Sequence, residues 1–207
     1  NGLLLFEPWT VETGAGSFYK VYTPYWRAVE GREVPPTIPA PELRAPALWP
    51  EGERLEALAL GRDMGRGGAV VARHTEAGEA AARARLERFV AERLGDYPEA
   101  RDRLDVPGTS GLSDALAVGE ISPRRIWAEA APLRSGPKGE AATAFLKEIV
   151  WREFAYHLLH HTPRIVERNW REEWDDFPWR GDTADAEAWR RGRTGQPLVD
   201  AAMRELY

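Results

Sequence analysis

Cysteine is absent from this 207-residue sequence. That excludes a disulfide framework and any thiolate metal centre, and it fits a reducing, cytoplasmic setting. No run of about eighteen apolar residues occurs, so neither a membrane-spanning helix nor a membrane partner is expected. "GLLLF" (2–6) is too short for a signal peptide and lacks its basic flank. An excess of positive charge is missing too. The net charge of -5 argues against a general polyanion binder but leaves room for a local basic cleft. From residue 75 onward there are no alternating strand-like runs, and no internal repeat occurs anywhere.

What is present suits a packed domain, with 43% hydrophobic residues and 10% aromatic. Residues 1–75 are rich in proline and show little helical period. "VPPTIPAPELRAPALWP" (34–50) reads as an extended linker. "GRDMGRGG" (61–68) lacks the Lys-Ser/Thr of a phosphate cradle and reads as a flexible loop. After Thr75 the pattern turns helical. "EAGEAAARARLERFVAERL" (76–94) puts Leu86, Phe89, Val90 and Leu94 on one face. "ISPRRIWAEAA" (121–131) carries a Ser cap followed by Pro at the first helical position. Further helices are expected at 140–161, within 181–195 ending near Gly192, and at 197–206. The body is therefore expected to be all-α. An opening Asn1 and a helical pattern running to the last residues suggest a piece of a longer protein.

Four constellations could carry chemistry. "GTSGLS" (108–113) gathers Thr109, Ser110 and Ser113 with two glycines at a helix start. Such a loop suits a phosphate or pyrophosphate, but on local sequence a plain Ser/Thr cap after a Gly turn is the simpler reading. In "FLKEIVWREFAYHLLHH" (145–161), Glu148, Trp151, Arg152 and Ala155 fall on one broad helical stripe. An acid, an indole and a guanidinium there could line a pocket for a planar, anionic ligand. A Glu148–Arg152 ion pair on a part-exposed helix accounts for the same residues. Trp151, Trp170, Trp174, Trp179 and Trp189 crowd into a short stretch, as packing or as an electron relay. His157, His160 and His161 have metal-compatible spacing, but no HExxH is present; a solvated helix end is the simpler reading, and no metal is expected.

Taken in order, five segments resemble the DNA photolyase/cryptochrome family, most closely its class I cyclobutane pyrimidine dimer photolyases. They are "EPWTVETGAGSFYKVYTPYWRA" (7–28), "DYPEARDRLDVPGTSGLS" (96–113), "GEISPRRIW" (119–127), "FLKEIVWREFAYHLLHH" (145–161) and "WRRGRTGQPLVDAAMREL" (189–206). The resemblance implies part of a helical FAD-binding domain of photolyase/cryptochrome type. Residues 76–207 would be its first part, preceded by an irregular interdomain connection over 1–75. It implies FAD as cofactor, damaged DNA as partner, a monomeric full-length protein, and light-driven repair of pyrimidine dimers by an electron from reduced FAD. A cryptochrome photoreceptor without repair activity and a 6-4 photolyase are the alternatives. A second, antenna chromophore of folate or deazaflavin type is expected only in an N-terminal domain outside these residues.

The same resemblance assigns roles by position. Tyr97, Thr109, Ser110, Gly111, Leu112, Ser113, Phe145 and Arg152 would contact FAD. Glu148 would bond the dimer's bases, Trp151 would stack on the flipped dimer, and Arg152 would sit beside cofactor and substrate. Arg101 would be a basic DNA contact and Trp179 the surface end of a tryptophan chain. Where many members read "TSRLSP", this chain reads "TSGLSD" (109–114), so a basic side chain is lost at Gly111 and a proline at Asp114.

Overall fold

The computed structural model describes residues 2–206. Among them there are no strands. The α-helices are α1 (Tyr22–Val29), α2 (Arg66–Val71), α3 (Glu79–Arg88), α4 (Tyr97–Ala100), α5 (Ser113–Val118), α6 (Pro123–Ala130), α7 (Gly139–His161), α8 (Ala184–Arg190) and α9 (Pro197–Leu206), with short 3-10 turns between them. They form two compact units, residues 2–50 with 75–167 and residues 51–74 with 168–206.

In the first unit α7 is the central element. Its apolar residues lie nearly all round, and Ala141, Ala142, Phe145, Leu146, Ile149, Val150 and Phe154 are all buried. Each large side chain so covered contributes roughly 1.5–3 kcal/mol. The neighbours are Tyr25, Trp26 and Val29 of α1, Ala82 and Leu86 of α3, and Ile126, Trp127 and Ala130 of α6. Leu5, Phe6 and Val11 join the same core. Residues 2–34, expected within a connecting segment, therefore supply core side chains and a helix that their sequence did not announce. The proline-rich 35–50 stretch has no regular structure and is exposed, as expected.

Local chemistry sets the helix ends. Ser122 accepts a hydrogen bond from the Arg125 N–H, and Pro123 opens α6. The helix expected from residue 76 begins only at Glu79, because Gly78 takes a φ of 105° and donates its N–H to Glu120 instead. Beyond Arg88 the helix widens into a π-turn over Phe89–Arg93 and a 3-10 turn over Leu94–Asp96. Lys138 Nζ donates to the Val90 and Ala91 carbonyls there. This widening keeps Phe89 and Leu94 in the core and delivers the chain to Tyr97.

In the second unit, Arg62–Met64 forms a 3-10 turn and α2 follows, where the Gly-rich stretch had read as a loop. Thr183 caps α8 by accepting from the Ala186 N–H. Gly192 has a φ of 60°, and a Cβ there would lie 2.7 Å from the Asp200 carbonyl oxygen. Only glycine permits that approach. Asp200 accepts from the Thr194 and Gly195 N–H groups and from the Thr194 hydroxyl, which fixes the turn into α9.

Candidate functional site

A cavity of about 680 Å³ in the first unit gathers most of the residues the sequence singled out. Its walls are Tyr97 and Arg101 at α4, the 109–113 loop, the outer face of α5, and a stripe of α7. The α7 contribution is Phe145, Glu148, Ile149, Arg152 and Tyr156, spaced by three or four residues as one helical face requires. Phe145 is buried against Phe89 and Tyr97, at ring-centroid distances of 4.7 and 5.5 Å, and forms an aromatic wall.

The loop is built by two glycines. A Cβ on Gly108 would lie 2.1 Å from the Ala100 carbonyl oxygen, so the chain can turn back over α4 only with glycine there. Gly111 has a φ of 61°. Leu112 is buried and anchors the loop in the core. No side chain caps α5, whose N-cap position is Leu112. The cap reading of "GTSGLS" therefore does not hold, and the three hydroxyls are not consumed by that role. From α3, Arg85 Nη1 donates to the Gly111 carbonyl at 2.9 Å and to the Asp114 carboxylate at 3.1 Å. Burial raises the Asp114 carboxyl, but bonds from the Ala115 N–H and Arg85 outweigh it and leave the group below its usual range. Arg85 thus ties this loop to another helix, with its charge paired by Asp114.

The charged wall has three members. Arg101 Nη1 donates to Glu148 Oε1 at 2.6 Å, and the guanidinium lies over the Tyr97 ring. The bond to Glu148 raises the Arg101 pKa further. Arg152 Nη1 donates to the Leu3 carbonyl at 2.7 Å, and its guanidinium covers the Tyr156 ring. Arg152 Nη2 is buried and has no hydrogen-bond partner. An unpaired buried donor is costly to the fold where it stands. The Glu148–Arg152 pair that the sequence left as the alternative is absent, because each group has a different partner.

Trp151 does not line this cavity. At about 100° per residue the lining residues of α7 span an arc with Glu148 at one edge and Ile149 at the other, and Trp151 lies about 60° beyond the Glu148 edge. The indole stacks instead on Tyr22, with ring centroids 3.6 Å apart and planes at 8°. Trp179 belongs to the second unit, where it is exposed, contacts Phe177, and donates its ring N–H to the Trp174 carbonyl at 2.9 Å.

Two further α7 groups are structural. Glu153 is 2% exposed and accepts the N–H groups of Leu5 and Phe6, at 2.8 and 3.3 Å. Burial pushes its carboxyl up to about 7, with those N–H bonds and Arg152 pulling the other way. His157 is fully buried rather than part of a solvated helix end. Its Nδ1–H donates to the Pro8 carbonyl and its Nε2 accepts from the Tyr19 N–H. Burial and the neighbouring His161 hold it down at about 4. Among the described residues no cluster of His, Asp or Glu is arranged to hold a metal ion. None of their helices is long and apolar enough to cross a membrane.

Sequence reading missed Ile149 and Tyr156 on the cavity stripe, although both follow from continuing the helical period from Phe145 and Arg152. It missed Arg85 and Tyr22 because their partners lie far away in the chain.

Residues 145–207 match the family described as the FAD binding domain of DNA photolyase. A deoxyribodipyrimidine photo-lyase of Agrobacterium fabrum is 42% identical, over 100% of this chain and 44% of the relative. One from Thermus thermophilus is 43% identical over 91% of this chain and 41% of the relative. The structure of a bacterial class III photolyase from Agrobacterium tumefaciens matches with a TM-score of 0.84 and 40% identity, covering 99% of this chain and 43% of that one. A Synechocystis cryptochrome matches with a TM-score of 0.70 and 25% identity, covering 99% and 44%. The chain spans less than half the length of these relatives.

Proposed function

Because this chain belongs to the DNA photolyase/cryptochrome family, we propose that the protein carrying it is a deoxyribodipyrimidine photolyase, which repairs cyclobutane pyrimidine dimers in DNA under light. The observation that carries this reading is the cavity itself, where a carboxylate, guanidinium side chains, an aromatic wall and a hydroxyl loop line one volume.

These residues fit FAD. The 109–113 loop offers three hydroxyls that do not cap α5, held by Arg85 at the Gly111 carbonyl, which suits phosphates and a polyol chain. Tyr97 and Phe145 would bound the cofactor, and Arg152 would stand beside it. Bound and reduced, FAD supplies the light-driven electron that opens the dimer. The chain's own residues bind, orient and exclude water. Glu148 would accept from the dimer's base N–H groups, and Trp151 would stack on an extruded base. Arg101, bonded to Glu148, would hold that carboxylate in place and offer its charge to the DNA backbone. Trp179 would relay electrons from the surface. Residues 1–75 would form the interdomain connection and 76–207 the first part of the FAD-binding domain. A folate or deazaflavin antenna would sit in a domain outside this chain, and the whole protein would act as a cytoplasmic monomer. The 40% identity to a class III structure favours that class over the class I type suggested by the motifs.

The cryptochrome match keeps a photoreceptor without repair as the second reading, and a 6-4 photolyase as the third. One assay separates them. The FAD-loaded protein is illuminated with a duplex carrying either a cyclobutane dimer or a 6-4 photoproduct, and lesion loss is followed. Loss of the cyclobutane dimer alone is the expected result. No loss of either lesion would leave the photoreceptor, and loss of the 6-4 product alone would reassign the substrate.

A further inference from the structure

We propose that Tyr22 is a positioning residue that makes Trp151 a one-sided platform for a single unstacked nucleobase. The inference rests on the reading of Trp151 as a DNA-contacting indole. Trp151 stands on the surface of α7 and is 46% exposed, where an unsupported indole would sample several rotamers. It is not unsupported. Tyr22, the first residue of α1, covers one face at 3.6 Å and 8°, a close parallel stack. The Tyr22 hydroxyl donates to the Lys147 carbonyl of α7 at 2.8 Å, which pins the phenol over the helix that carries the indole. Phe154 meets both rings edge-on, each at 5.9 Å, and braces the pair from α7 itself. The Glu148 carboxylate is close enough to add to burial in raising the Tyr22 pKa, so acid, phenol and indole form one group beside the cavity wall.

Stacking uses up one face of the indole. A base can then stack only on the opposite face, with the Glu148 acceptor one helical turn away. Holding the ring in one orientation beforehand removes an ordering cost from binding. The gain from such a support corresponds to roughly two- to tenfold in affinity.

The test titrates the FAD-loaded protein with a duplex carrying one cyclobutane thymine dimer and with the matched undamaged duplex. Tyr22→Leu should weaken damaged-duplex binding about fivefold, leaving undamaged-duplex affinity and flavin absorbance unchanged. Tyr22→Phe keeps the stacked ring but loses the bond to the Lys147 carbonyl, and should recover most of the damaged-duplex affinity. The near-ultraviolet circular dichroism of the stacked pair should be lost in Tyr22→Leu and in Trp151→Leu but kept in Tyr22→Phe. Wild-type damaged-duplex affinity in Tyr22→Leu would overturn the proposal, as would an equal loss for both duplexes or an equal loss in Tyr22→Phe. Trp151→Leu separates this proposal from its premise. If that variant binds damaged duplex normally, the Trp151 assignment fails. If it is impaired while Tyr22→Leu is not, only the positioning role fails.

Discussion

Glu148 and Glu153 stand five residues apart on one helix and do opposite work. Glu148 faces a cavity, keeps about a third of its side-chain exposure, and pairs with the Arg101 guanidinium just after α4. Glu153 is sealed in the core, and two backbone N–H groups of the N-terminal segment take up one of its oxygens. The first is held ready by a partner that could let go. The second is a rivet between α7 and residues 5 and 6. A charge within an apolar helix therefore has no single meaning. Its partners decide whether it holds the fold together or is available for chemistry.

The comparison breaks most clearly in stability. Removing Glu153 strands the Leu5 and Phe6 N–H groups inside the core, so Glu153→Ala should cost about 3–4 kcal/mol in urea unfolding. Glu148→Ala should cost about 1 kcal/mol or less, because the pair it breaks is partly solvated. Equal losses would mean that the two carboxylates are not different in kind.

pH sharpens the contrast. Burial raises Glu153 to about 7, above its unfolded value, so the folded state binds the extra proton. Its contribution favours folding below about 4.5 and is lost as pH rises through about 7. His157 is held down at about 4, below its unfolded value. Its contribution is present above about 6.5 and lost as pH falls through about 4. Between those limits the two trends oppose each other. Glu153→Gln keeps an acceptor for the two N–H groups but removes one trend, so its melting temperature should fall more steeply on acidification from pH 7 to pH 5 than that of the wild type. A parallel pair of melting curves would contradict the assignment.

At the cavity the effects should appear in function rather than in folding. In the FAD-loaded protein, Glu148→Ala should weaken binding of a dimer-containing duplex by roughly tenfold, a loss of one or two hydrogen bonds to a carboxylate, with flavin content unchanged. Equal flavin loss would place Glu148 at the cofactor instead of the substrate. The smallest expected effect is at the loop. Arg85→Met should cost about 1 kcal/mol and lower FAD retention modestly, measured by flavin absorbance after dialysis. An unchanged flavin yield would remove Arg85 from the account of the loop.

Much of this was legible beforehand. The apolar run of α7, the Ser122–Pro123 start of α6, the helix within 181–195 and the exposed proline-rich stretch follow from local rules that hold wherever a sequence occurs. The cavity stripe was half legible: Phe145, Glu148 and Arg152 line it, but Trp151 falls about 60° beyond Glu148, outside the lining arc, and stacks on Tyr22. The hydroxyl loop was found, with its cap reading wrong and its cation unforeseen.

By itself the sequence determined the helical class and the residues that would be costly to bury, since periodicity, caps and charge are properties of neighbours in the chain. It also pointed to a family through five ordered motifs. Only the tertiary structure decided which charge is a rivet and which faces a cavity, that His157 lies in the core, and that Tyr22 backs Trp151. Those outcomes depend on partners more than a hundred residues away, such as Leu5 for Glu153 and Tyr22 for Trp151. A carboxylate or an indole carries no local mark of the group that will meet it once the chain has closed on itself.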